Sequence, residues 1–140
     1  MANLYAEMRD RHQKEVDAFP MMFAFNQKQF DEGMKKLGLE PTDTDKIYSI
    51  GYNGYIRKTD SDAFGEMLTR HSEDMEKAVA ADTTGEGFIY DMFCYELSNH
   101  EYSYTHDVSD TLDCLDLTME KVNADKRLLH GLKKAMKRCR

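Results

Sequence analysis

Between Lys77 and Lys121 the chain contains no lysine and no arginine. Phosphate contacts depend on those two residue types, so this stretch is excluded as a surface for direct nucleic-acid binding. No run approaches the roughly 18 apolar residues needed to cross a bilayer, and no membrane span is expected. The N-terminal MANLYAEMRDRHQKE carries charges throughout and reads as an amphipathic helix, not a signal peptide. Cysteine is scarce: Cys94, Cys114 and Cys139 are an odd set, read as free thiols in a reducing cytoplasm. Catalytic signatures are missing as well. There is no GxSxG, P-loop, GxGxxG, HExxH or CxxC. The expectation is therefore a protein that is not an enzyme.

What the cation-free stretch does hold is ten acids: Asp82, Glu86, Asp91, Glu96, Glu101, Asp107, Asp110, Asp113, Asp116 and Glu120. The last 15 residues reverse the sign with Lys126, Arg127, Lys133, Lys134, Lys137, Arg138 and Arg140. Of the formal net charge of −7, that tail contributes +7 and the rest of the chain −14. The basic tail has two readings: cations at the negative end of a helix dipole, or a docking segment. Carboxylates at this density repel one another and weaken a fold. A chain that keeps them is expected to hold a cation or to meet a basic partner.

With 140 residues, 41% apolar and 32% charged, the composition suits one globular domain over 1–140. Apolar spacings of three and four predict helices over about 2–18, 26–37, 62–81, 87–100, 108–116 and 119–138. Asn26 with Gln29 has capping-box spacing, and Gly38 closes the second helix after Leu37. Met21, Met22, Phe23 and Phe25 form an apolar segment expected to be buried. Lys46 to Lys58, with Gly51-Tyr52-Asn53-Gly54 at its centre, predicts a β-hairpin. Thr59 or Ser61 is expected to cap the third helix, and Asp107 or Ser109 the short one. Phe88 to Asn99 is apolar nearly all round and predicts a central helix. The fold class is mainly α with a small β-hairpin (α+β), a single compact domain.

Two groups of residues could carry chemistry. Cys94, Glu96, His100, His106 and Cys114 are the densest set of metal ligands. Glu96 and His100 are four apart and share a helix face, with His106 returning from the following loop. Zinc accepts these ligand types, and a closed four-ligand site would be structural. The bland reading makes Cys94 and Cys114 small core residues and pairs His100 with Glu96. A small metal-dependent hydrolase on the same residues is the enzyme-class alternative. The second group is Asp107, Asp110, Asp113 and Asp116, every third residue. On a helix they would form a row spaced about 5 Å apart, comparable with phosphates along a strand. An EF-hand does not fit, since its alternating ligands and central glycine are missing. The plain reading of the row is a solvated acidic face.

Glu101, Tyr102 and Tyr104 join that row as partner-binding residues, tyrosine being a good interface anchor. Tyr90 and Tyr95 are expected in the core. His71 reads as a satisfied core histidine, and His12 as a surface residue.

Four phrases, FDEGMKKLGLEPTDTDKIYSIGYNGYIRK, GFIYDMFCYELSNHEYSYTHD, DTLDCLDLT and DKRLLHGLKKA, resemble a family of short proteins carried on mobile genetic elements of gut bacteria. The resemblance spans nearly the whole chain and brings with it no established enzymatic activity. Genes of this size and location include anti-CRISPR proteins, small and frequently acidic inhibitors of RNA-guided DNA nucleases, some of which imitate DNA. What the resemblance implies is an acidic inhibitor. It would block nucleic-acid loading by docking on a basic groove of a nucleic-acid enzyme, specifically a type II CRISPR nuclease. A small zinc-binding protein is the alternative.

Overall fold

Helices beginning at Gln27, Met119 and Lys126 start where a side chain takes up a backbone N–H group that has no partner within the helix. The computed structural model describes residues 2–140 and is α+β, mainly α. In chain order it contains α1 Leu4–Ala18, β1 Met22–Phe23, α2 Gln27–Lys36, β2 Ile47–Gly51, β3 Gly54–Arg57 and α3 Ser61–Ala81. Then follow α4 Phe88–Asn99, α5 Tyr102–Thr105, α6 Ser109–Cys114, α7 Met119–Asn123 and α8 Lys126–Arg138. Contacts gather into two units: Lys14–Ser72, and the residues up to Gln13 together with Glu73–Arg140. Helices α1 and α3 contribute to both.

In the smaller unit, Asn26 Oδ1 accepts from Gln29 N at 2.9 Å, and Gln29 Oε1 accepts from Phe25 N at 2.8 Å. The capping pair expected from the sequence thus fixes the start of α2 from both sides. Gly38, at φ +77°, ends the helix, with Leu39 N donating to Met34 O at 2.8 Å. The hairpin β2–β3 turns through Tyr52 and Asn53, both left-handed as a two-residue turn requires.

A third strand, β1, pairs with β3, giving the antiparallel order β1-β3-β2. This strand corrects the reading of Met21–Phe25 as a wholly buried segment. Strand alternation sends Met22 and Ala24 inward, while Phe23 and Phe25 remain exposed. Met22, Met34 and Leu37 form the core of this unit, with Phe30 meeting Tyr55 edge-on at 5.7 Å. His71 is satisfied as expected, its Nε2 lying 2.9 Å from Glu15 Oε1. Arg70 bonds the same carboxylate and, with His71, lowers the Glu15 pKa to about 2.

In the larger unit, α4 is the central helix that its all-round apolarity predicts. Ile89, Phe93 and Leu97 are fully buried among Tyr5 and Met8 of α1, Leu112 of α6, Val122 of α7 and Leu132 of α8. Each such side chain contributes roughly 1.5–3 kcal/mol by leaving water. The region expected as one helix over 119–138 is two. Asp125 Oδ1 accepts from Arg127 N at 2.9 Å, so the chain restarts there as α8.

The 108–116 helix is likewise shorter. Asp116 is left-handed at φ +56° and Leu117 N turns back to Leu112 O at 2.8 Å, which stops α6 at Cys114. Val108, not Asp107 or Ser109, stands at the N-terminal boundary of α6 and makes no side-chain cap, and α3 follows directly on a 3-10 turn over Lys58–Asp60. Asp107 instead accepts from Ser109 N at 2.8 Å in a turn before α6.

The loop between α3 and α4 is organised by one acid. Asp82 accepts from the backbone N–H groups of Thr84, Gly85, Gly87 and Ile89 at 2.9–3.2 Å. Burial pushes its pKa up, but these donors outweigh burial and hold it below the usual carboxylate range. Arg127 closes the other side by donating to Val79 O and Asp82 O at 2.9 and 2.8 Å. Helix α8 packs so tightly here that a Cβ on Gly85 would lie 2.3 Å from Arg127 O, and one on Gly131 would lie 2.6 Å from Ile89 Cγ2.

Replacing Asp82 by alanine leaves several buried donors unpaired and is expected to cost about 2–4 kcal/mol in urea unfolding. Because the folded pKa is depressed, this contribution is present above the ordinary carboxylate range and is lost as pH falls through the folded value. The gap between wild type and Asp82→Ala should therefore narrow in acid; a constant gap would refute the assignment.

Candidate functional site

Among the described residues the one acid with no solvent exposure at all, Glu96, lies in the core of the larger unit. Helix α4 carries it toward α1, where Tyr5 and Arg9, four residues apart, share a face. Tyr5 Oη donates to Glu96 Oε2 at 2.5 Å and Arg9 Nη1 donates to the same oxygen at 3.0 Å. Cys114, at the end of α6, adds a third donor to Oε2 at 3.3 Å. Asn99 Nδ2 makes a long bond to Oε1 at 3.3 Å, and Thr111 Oγ1 donates to the Glu96 carbonyl at 3.2 Å. The Arg9 guanidinium also lies over the Tyr95 ring at 5.2 Å from its centre.

These contacts set the chemistry of the neighbours. Burial first, and then the bond to Glu96, pushes the Tyr5 phenol well above its ordinary pKa. The Cys114 thiol is raised by the same two causes in the same order. His100 caps the C-terminal end of α4, with its Nε2 4.0 Å from Glu96 Oε1. That is too long for a hydrogen bond. His100 Nε2 is buried and has no hydrogen-bond partner among the described residues.

Of the five metal-ligand candidates, three are brought together. One donor atom from each of Glu96, His100 and Cys114 lies within 4.8 Å of the others. Cys94 is not in that group. Its partly buried thiol lies beside Cys139, which donates to the Cys94 carbonyl at 3.9 Å, and burial raises its pKa. His106 is exposed in a left-handed turn and meets the Tyr102 ring edge-on at 5.7 Å. All three cysteines are free thiols.

The partner-binding candidates separate too. Tyr102 is only 5% exposed and belongs to the core, so it is not available as an anchor; Tyr104 is 85% exposed. The four aspartates do not form a helical row, because α6 contains only Asp110 and Asp113. Asp107 lies before it and Asp116 after it. Half of the ten acids are engaged inside the fold: Asp82 and Glu96 as above, Asp91 with Leu4 N at 2.9 Å, Glu86 with Lys134 at 2.5 Å, and Asp107 with Ser109 N. Glu101, Asp110, Asp113, Asp116 and Glu120 are exposed and their side chains make no hydrogen bond or ion pair among the described residues.

Tyr5 and Arg9 were not legible as site residues. Their spacing of four puts them on one face of α1, but nothing in the sequence says which helix that face meets.

Residues 4–138 match the model of a family of unknown function, DUF7659. The chain belongs to that family. No curated protein and no solved structure matches it.

The Tyr5 bond has a measurable alkaline signature. With its folded pKa above the ordinary value of 10.0, Tyr5 favours folding fully below that pH and progressively less as pH rises above it. Tyr5→Phe should flatten the loss of stability above about pH 10. An unchanged alkaline limb in urea titrations would show that the phenol is not held as described.

Proposed function

We propose that this protein acts by binding, not by catalysis, and that residues 101–120 are the surface it offers to a basic groove of a nucleic-acid-handling protein. The reading rests on one observation. Of the ten acids between Lys77 and Lys121, the five whose side chains have no hydrogen bond or ion pair among the described residues, Glu101, Asp110, Asp113, Asp116 and Glu120, all fall in this 20-residue segment, which has no lysine or arginine. Exposed Tyr104 lies among them. Such a field speeds encounter with a cationic partner, and an exposed aromatic side chain adds contact area once docked.

The most specific form of the reading comes from the sequence resemblance to small acidic proteins of mobile elements. It is an anti-CRISPR-type inhibitor that keeps nucleic acid from loading onto a type II RNA-guided DNA nuclease. The cytoplasm is the compartment that suits it, since there its three cysteines stay reduced. Among the described residues no helix is long and apolar enough to cross a membrane.

The test is DNA cleavage by a guide-loaded type II nuclease, with affinity measured in parallel at rising salt. A combined variant carries Asp110→Lys, Asp113→Lys, Glu120→Lys and Asp116→Asn. Asparagine is chosen at 116 because it tolerates the left-handed backbone there. Inhibition by the wild type should weaken as salt rises, and the variant should lose at least about 100-fold in affinity at low salt, equivalent to about 2.7 kcal/mol. Equal inhibition by the two proteins, or none by either, removes this reading.

A further inference from the structure

We propose that Glu96, His100 and Cys114 form a binding site for a zinc-class divalent cation. One of its ligands, Cys114, lies within the 101–120 segment, but the site stands on observations other than the unpaired carboxylates. Two observations carry it. The first is the convergence of a carboxylate, an imidazole and a thiol from α4, its C-terminal cap and the end of α6, with donor atoms within 4.8 Å of one another. The second is the His100 Nε2 atom, buried beside a fully buried carboxyl group yet bonded to nothing. A native protein seldom leaves such an atom without a partner, because the desolvation is uncompensated.

The distances suit an ion between the donors. Around a tetrahedral zinc with bonds of about 2.0–2.3 Å, neighbouring donor atoms stand about 3.3–3.6 Å apart. His100 Nε2 and Glu96 Oε1 stand 4.0 Å apart, so they close by less than about 1 Å on a shared ion. Glu96 is arranged for this division. Its Oε2 is occupied by Tyr5 and Arg9, whereas Oε1 has only the long bond from Asn99 and faces His100.

Binding is a deprotonation as well as a coordination. The Cys114 thiol, now donating to Glu96 Oε2, gives its proton to solvent and its sulfur becomes a thiolate ligand, one proton released per ion bound. The mixture of sulfur, nitrogen and oxygen donors selects zinc or cobalt over magnesium and calcium, which take oxygen ligands. Three protein ligands leave a fourth position for water. Cys94, Cys139 and His106 take no part.

The experiment uses the full chain without a histidine tag, titrated with cobalt(II) and then competed with zinc. One equivalent of cobalt should bind, giving a sulfur-to-metal charge-transfer band and the visible bands of tetrahedral cobalt. Excess magnesium should not displace it, and zinc should. Cys114→Ser should abolish the charge-transfer band, and His100→Ala should weaken binding at least about tenfold. Cys94→Ser and Cys139→Ser should leave both unchanged. A second measurement avoids any doubt about variant folding: on the wild-type chain, zinc should protect Cys114 from alkylation, read peptide by peptide, and leave Cys94 reactivity unaltered. Failure to bind cobalt, a band that survives Cys114→Ser, or zinc that does not protect Cys114 would each overturn the site.

Discussion

A carboxyl group sealed from solvent draws three helices of the larger unit to one point. Glu96 accepts from Tyr5 and Arg9 of α1 and from Cys114 of α6, while its own carbonyl takes the Thr111 hydroxyl. A buried carboxyl without such donors would be strongly destabilising, so the helices are held to the positions that supply them. Apolar packing around α4 provides most of the stabilisation, and it is tolerant of small shifts. The hydrogen bonds to Glu96 are not, because they demand distances within a few tenths of an ångström. Register between α1, α4 and α6 follows from that demand.

A second carboxylate, Asp82, does comparable work at the opposite end of α4. It gathers the N–H groups of the loop before the helix, while Arg127 gathers carbonyls at the end of α3. Here the two charge blocks of the sequence meet. One basic residue of the tail is a structural cation, and Lys134 is another, paired with Glu86 and lying over the Tyr90 ring at 4.9 Å. The tail is therefore more than a set of charges at a helix terminus. The acidic stretch, in turn, is not a uniform surface: its acids up to Glu96 all make contacts within the fold, whereas from Glu101 onward only Asp107 does so among the described residues.

Legibility followed the range of the interactions. The cap of α2, the Gly38 termination, the left-handed turn at Tyr52-Asn53 and the central role of α4 are local, and each can be read from a few adjacent residues. The features that escaped depend on distant partners or on competition. Strand β1 exists because β3 offers it an edge, so Phe23 points outward despite its apolarity. The break before α8 reflects Asp125 bonding to a nearby N–H in preference to continuing the helix. A period of three among Asp107, Asp110, Asp113 and Asp116 promised a helical row, but the turn at Asp116 ended α6 too soon.

For the site, the sequence by itself determined which chemical groups were present and that Glu96 and His100, four apart on a helix, must be neighbours. It also determined that the 101–120 segment carries no lysine or arginine of its own. Only the tertiary structure decided which cysteine joins Glu96 and His100, that Tyr102 is core while Tyr104 is surface, and which acids remain unpaired. The reason is physical. Helical periodicity fixes neighbours within a turn, whereas the partner of a buried polar group is chosen by how separate helices pack, and no spacing along one chain segment encodes that choice.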